Sequence, residues 1–223
     1  MAILLSGQPR SINTCYESLK KFYLDKYDCD IFIHTWFDDK FPSSIYGEYI
    51  NLYKPVRFFG EKQIIFDSQG IKDPTWHVTL QNILSQYYSI FMSNQLKLSY
   101  ETTNEVKYDI VMRIRSDLQI IRPIEIEKIE TGKLALYYWT QETCNDMGSS
   151  DVFAIGPSDI MNVYCDLYNK VLYYLYEDPT YVIRHPKMRQ EYILNHHLKT
   201  VNKLPIQLFW HGDITDRSFN LIQ

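Results

Sequence analysis

Short, largely apolar runs alternate along this chain with longer runs whose apolar residues recur every three to four positions, and that alternation admits few folds. Ala2 to Ser6 is continuously apolar until Gly7-Gln8-Pro9 stops it, the pattern of a strand buried on both faces. Ser11 then stands where a helix cap is expected, ahead of Ile12, Cys15, Leu19, Phe22 and Tyr23 on one helical face. Cys29 to Trp36 reads as a second strand and Val56 to Phe59 as a third, so the chain opens on a βαβ unit with a parallel pair. A long helix is expected from Thr79 to Tyr100, with Leu80, Ile83, Leu84, Tyr87, Tyr88, Phe91 and Met92 facing the core. Strands follow at Asp109–Leu118, Leu134–Trp139 and Asp151–Ile155. Ser158 opens a helix carrying Ile160, Tyr164, Leu167, Tyr168, Val171 and Leu175, and Arg189 to Lys199 forms another before the strand-like PIQLFW. The expected fold is α/β, a mostly parallel sheet flanked by helices in a single domain. Ligands bind such sheets beyond the carboxyl ends of the strands.

Composition narrows the function classes. A chain of 223 residues can bury a sizeable core without staples. It holds 19 Tyr but only three Ala, and so much aromatic mass excludes a disordered chain. The tyrosines suit binding surfaces, although biased coding content is the better account of most of the surplus. A net charge of −4 argues against a nucleic-acid-coating protein while leaving room for a local positive pocket. Cys15, Cys29, Cys144 and Cys165 form no CxxC pair, so neither a zinc site nor a redox motif is indicated, and reduced thiols are expected. The first apolar run is too short for a signal-peptide core, and no later run is long enough to span a bilayer. The expected location is the cytoplasm, or the host cytoplasm for a viral protein.

Three segments carry candidate chemistry. In VMRIRSD, strand alternation places Val111, Arg113, Arg115 and Asp117 on one face. Two guanidiniums and a carboxylate there either form a buried network that fixes the sheet or line a polyanion cleft, with arginines on phosphate and Asp117 on a divalent cation. In SGQPRS, a strand, a tight turn and a helix start offer Ser6, Gly7 and Arg10 to an anion; the same turn can be generic. GxxxxGK and GxGxxG are both lacking, so neither a P-loop enzyme nor a dinucleotide fold is supported. In DMGSSDVFAIG, Asp146 and Asp151 are either solvated turn residues or a general base at the cleft. The histidines say less. His196 and His197 are adjacent on a helix and diverge too far to share a metal. His211 and His34 can each reach a cleft or simply pack, and no nucleophilic-hydrolase signature is found.

Together, ILLSGQPRS, DIFIHTW, YDIVMRIRSDL, SDVFAIGPSDIM and HPKMRQEYILNHHL resemble small GT-A-type glycosyltransferases of bacterial surface-polysaccharide loci and large DNA viruses. The resemblance covers nearly the whole chain through short motifs. It implies one GT-A-like domain over 1–223, with the nucleotide-binding part at about 1–120 and the acceptor-side part at about 121–223. It also implies transfer of a sugar from a nucleotide-diphosphate sugar to a hydroxyl of a glycan or glycoprotein. The family's first turn holds the nucleotide, here Ser6, Gly7 and Arg10, and its DxD motif holds Mn2+ or Mg2+. Asp117 matches the last acid of that motif, but Arg115 replaces the first, so the motif reads RSD and Arg115 can contact the diphosphate directly. Asp117 and His211 are the candidate metal ligands, Arg113 and Arg115 the candidate diphosphate contacts, and Asp151 the candidate base. Trp36, Tyr138 and Trp139 are candidates for stacking on base or sugar rings. Two other readings use the same cleft: a metal-dependent phosphohydrolase or nucleotidyltransferase, and a non-catalytic nucleotide-sugar-binding module.

Overall fold

The computed structural model describes residues 1–67, 79–121, 123–138, 150–184 and 189–210. Seven strands among them form one sheet: β1 (Ala2–Gly7), β2 (Asp30–Phe37), β3 (Arg57–Lys62), β4 (Ile110–Arg115), β5 (Leu134–Tyr138), β6 (Phe153–Pro157) and β7 (Ile206–Trp210). Their spatial order is β3-β2-β1-β4-β6-β5-β7. Neighbours pair in parallel except around β6, which runs antiparallel to both β4 and β5. This reversal brings the chain entering β6 to the edge where β4 and β5 end, and Arg115 N donates to Val152 O at 3.1 Å.

Alternation along each strand feeds two cores. Ala2, Leu4, Val111, Leu136 and Ala154 face one side, under α3 (Leu80–Asn104), α4 (Ser158–Cys165), α5 (Val171–Tyr176), α6 (Pro179–Arg184) and α7 (Gln190–Asn195). Ile3, Leu5, Met112, Ile114, Phe153 and Ile155 face the other side, packed by α1 (Ile12–Leu19), α2 (Ile45–Tyr53) and the segment around Leu118–Ile129. Both faces are covered, which is why these strands are continuously apolar.

Local chemistry explains most element ends. Thr79 is extended, and its side chain accepts from Asn82 N to open α3. Ser11 departs from its expected role: it sits at φ 49° with no side-chain cap, and its carbonyl accepts from Cys15 N at 3.1 Å instead. The single helix expected from Ser158 is broken by a 3-10 turn at Asp166–Lys170. The turn keeps one face on the core: Leu167 within it and Val171 and Tyr174 after it remain buried, as Met161, Tyr164 and Cys165 are before it. The helix expected to Lys199 gives way after α7 to a π-helical turn, His196–Val201.

Many of the tyrosines are core material, while Tyr173 and Tyr176 are exposed. Tyr23, Tyr49, Tyr53, Tyr87, Tyr137, Tyr164, Tyr174 and Tyr181 are all buried. Several tie their hydroxyls to distant backbone, as Tyr23 does to Ile124 O at 2.9 Å and Tyr53 to Ile12 O at 3.0 Å. The ring fills volume while the hydroxyl finds an acceptor. No helix among the described residues is long and apolar enough to cross a membrane.

Candidate functional site

The turn after β1 lies against the end of β4. Gly7 adopts φ 118°, and an added Cβ would stand 3.2 Å from Ser116 Oγ. Ser116 in turn donates its hydroxyl to Gln8 O at 2.6 Å and its amide to Ser6 O at 3.2 Å, which locks the two strand ends together. Gln8 Nε2 donates to Asp38 Oδ2 at 2.7 Å, anchoring the turn to the end of β2.

Arg10, Arg115 and Asp117 meet at this edge. Arg115 Nε and Nη2 donate to Asp117 Oδ1 and Oδ2, each at 2.8 Å. Arg10 Nη1 lies 3.8 Å from Asp117 Oδ2, with its side chain 43% exposed; Nη2 donates to Gln8 Oε1. Burial pushes the Asp117 carboxyl upward, but Arg115, with Arg10 behind it, more than offsets this and holds the group below its ordinary range. The Arg10 and Arg115 guanidiniums converge on the Asp117 carboxylate, and the carboxylates of Asp151 and Glu191 also act on Arg115.

Other expected site residues lie elsewhere. Arg113 does not reach the open edge: it is 1% exposed, its Nε donates to Ser6 Oγ at 3.1 Å and its Nη1 to the Asp151 carbonyl. It sits two strand residues deeper than Arg115, about 6.6 Å by strand geometry, and it pins β6 to β4. Ser6 is buried and serves Arg113. The Gly7 amide points inward, donating to Ser89 Oγ at 2.9 Å. Trp36 is buried too, stacked on Tyr88 with centroids 5.2 Å apart, so it is not available to a ligand ring. His196 and His197 are buried in separate contacts, with Asp178 Oδ2 and Tyr174 OH respectively, each at 2.8 Å. His211, Asp146 and Trp139 lie outside the described residues, as does the Tyr138 side chain.

Asp151 is 4% exposed. Gln86 of α3 donates to its Oδ2 at 2.5 Å, a partner not foreseen from sequence. No sequence pattern marked Gln86; beside it Ser85, Ser89, Ser93 and Lys97 repeat every four residues on a face of α3 that the apolar pattern did not mark as core, and all four are buried. One of them, Ser89, joins the site to β2. His34 Nδ1 lies 2.8 Å from Ser89 Oγ and His34 Nε2 3.0 Å from Glu61 Oε1.

A divalent cation takes several oxygen ligands. Both Asp117 oxygens are engaged by Arg115, a second guanidinium stands beside them, and no group of three His, Cys, Asp or Glu suited to a metal occurs among the described residues. As placed, this donor set does not fit Mn2+ or Mg2+. It fits an anion.

No family model matches the sequence, and no curated protein matches it. The fold is similar to the apo form of the glycosyltransferase GlyE of Streptococcus pneumoniae, at TM-score 0.46 and 10% identity over 92% of this chain and 44% of that one. The chain therefore spans less than half of that protein's length. It is also similar to a nucleoside-diphosphate-sugar pyrophosphorylase from Vibrio cholerae, at TM-score 0.44 and 10% identity over 96% and 93% of the two chains. A glycosyltransferase involved in glycosylating the major capsid of PBCV-1 matches at TM-score 0.36 and 11% identity over 94% and 80%. These are distant likenesses, and the chemistry has to be argued from the side chains.

Proposed function

We propose that the chain is a glycosyltransferase that moves a sugar from a nucleoside-diphosphate sugar to a hydroxyl of a glycan or glycoprotein acceptor. One observation carries the reading: the Arg10 and Arg115 guanidiniums converge on Asp117 at the carboxyl ends of β1 and β4. Transfer breaks the bond between the anomeric carbon and the diphosphate oxygen while the acceptor oxygen bonds to that carbon. Negative charge grows on the departing diphosphate, and fixed cations beside it lower the barrier most. Arg10 and Arg115 supply that charge, and planar guanidiniums suit phosphate oxygens. The acceptor proton goes to the Asp151 carboxylate, oriented by Gln86; inversion at the anomeric carbon follows from attack opposite the leaving group. No step passes through a metal.

The test is incubation with a panel of UDP-, GDP- and dTDP-sugars and, alongside, the nucleoside triphosphates, with a chelator present. Release of nucleoside diphosphate from one donor, lost in Arg115→Ala, is the expected result. Consumption of triphosphates instead identifies a nucleotidyltransferase or phosphohydrolase. Donor binding without turnover under any condition identifies a binding module. Full transfer by Arg115→Ala would sink the assignment of the cleft.

A further inference from the structure

A second concavity lies away from the strand ends, between the latter half of α3, α4 and the π-helical turn at His196–Val201. Its volume is about 410 Å³, within the range of small-molecule sites. It shares no residue with the Arg115 cluster, and along α3 its nearest wall residue, Phe91, is about 7.5 Å from Gln86 by helix geometry.

Four neutral carboxamides line it: Asn94, Gln95, Asn162 and Asn202. Each has both a donor and an acceptor end, as a sugar hydroxyl does. The charged wall residues Asp166 and Lys170 are of opposite sign, so the lining selects neither anion nor cation. Phe91 adds an aromatic face suited to the C–H side of a pyranose.

Asn94 sharpens the match. It is 2% exposed, its Nδ2 donates to Asn162 Oδ1 at 3.1 Å, and its own Oδ1 has no partner. The orientation is set by chemistry: Lys97 Nζ, which can only donate, lies 3.1 Å from the same Asn162 atom. That atom is therefore oxygen, and the Asn94 atom facing it is nitrogen. A buried acceptor is left wanting a donor, and a hydroxyl group supplies one.

We propose that this cavity binds a neutral saccharide. Its use as an outlying subsite for the acceptor glycan rests on the glycosyltransferase reading; the binding itself does not. Isothermal titration with neutral glucose-, galactose-, mannose- and fucose-containing di- to tetrasaccharides, without nucleotide, tests it. At least one member is expected to bind with a millimolar or tighter Kd. Gln95→Ala and the milder Phe91→Leu are each expected to weaken it by about tenfold, with circular dichroism showing the fold intact, while Arg115→Ala leaves it unchanged. Absence of binding across the panel overturns the proposal, the cavity then holding water only. So does binding that is lost in Arg115→Ala but indifferent to Gln95→Ala and Phe91→Leu, because the saccharide would then sit at the strand ends. Either outcome leaves the donor-panel experiment untouched, and a failed donor panel leaves saccharide binding measurable.

Discussion

Arg115 and Asp117 hold each other by two parallel hydrogen bonds of 2.8 Å across a single intervening residue. The strand expected to reach Leu118 ends at Arg115, and Asp117 lies in the turn beyond it, closed by Leu118 N donating to Arg115 O at 3.1 Å and set beside the turn carrying Arg10. On the proposed function, an incoming diphosphate meets guanidiniums whose orientation Asp117 and Gln8 set, with part of their charge answered by Asp117.

Replacing Asp117 separates the two roles a carboxylate can have there. If it holds a metal, Asp117→Asn abolishes nucleoside-diphosphate binding. If it aligns Arg115, the change removes a negative charge from beside a bound anion, and calorimetry in chelator is expected to show binding retained or up to about tenfold tighter. Stability should drop by about 2 kcal/mol through the lost charged hydrogen bonds. Because the folded-state value lies below the ordinary 3.8, the wild-type contribution is full above about pH 4 and is lost as pH falls through the depressed value. The asparagine variant lacks that acid limb.

His34 sets a second acid limb. Burial pushes its imidazole down to about 4, and Glu61 offsets this only in part. The neutral ring orders a whole chain: Nε2–H donates to Glu61, Nδ1 accepts the Ser89 hydroxyl, and Ser89 accepts the Gly7 amide. Since the unfolded histidine titrates near 6.5, stability is full above that pH and is lost as pH falls toward 4, by about 3 kcal/mol for this group. His197, also lowered by burial, adds to the same window. The ring protons of His34 in an NMR titration should show no midpoint above about pH 5; a midpoint near 6.5 would contradict the buried chain.

What the sequence disclosed follows from which forces are local. Strands β1 and β2 were legible because burial on both faces writes a continuous apolar run, and α3 because Leu80, Ile83, Leu84 and Tyr87, all buried, recur at helical spacing. Alternation correctly put Arg113 and Arg115 on one face but said nothing of depth, and depth separates a pin of the core from a side chain at the open edge. The direction of β6 was hidden too, since a short apolar strand reads alike both ways; only pairing with β4 and β5 fixes it, and that pairing brings Val152, next to Asp151, onto the Arg115 amide. On α3, the apolar count pointed to Phe91 and Met92, whereas Ser89 and Ser93 are the buried positions. Small hydroxyl residues let the helix approach β1 and β2 closely while donating to nearby groups, an advantage that hydrophobicity does not record.

Lys97 is the most demanding member of that stripe. It is fully buried, with Nζ 2.7 Å from Ser158 Oγ and 3.2 Å from Glu101 Oε2. Lys97→Met keeps the stem's volume but strands Glu101, and urea unfolding should register a loss of about 3 kcal/mol. Adding Glu101→Gln removes the stranded charge, so the double variant should recover at least about 1 kcal/mol. Strict additivity would mean the pair contributes nothing as a pair.

Gly7→Ala probes whether the turn depends on its backbone shape. At φ 118° any Cβ is strained, and here it would press on Ser116 Oγ at 3.2 Å, the atom that holds the Gln8 carbonyl. A stability loss of about 1–3 kcal/mol is expected, together with weaker nucleoside-diphosphate binding, because the displaced turn carries Arg10. Ser116→Ala alone also costs stability through its lost hydrogen bond, but it removes the atom the new methyl would strike. The two changes should therefore cost less together than the sum of their separate effects, by about 1 kcal/mol in denaturant titrations. Additive losses would place the strain of Gly7→Ala wholly in its own backbone and leave the contact with Ser116 without consequence.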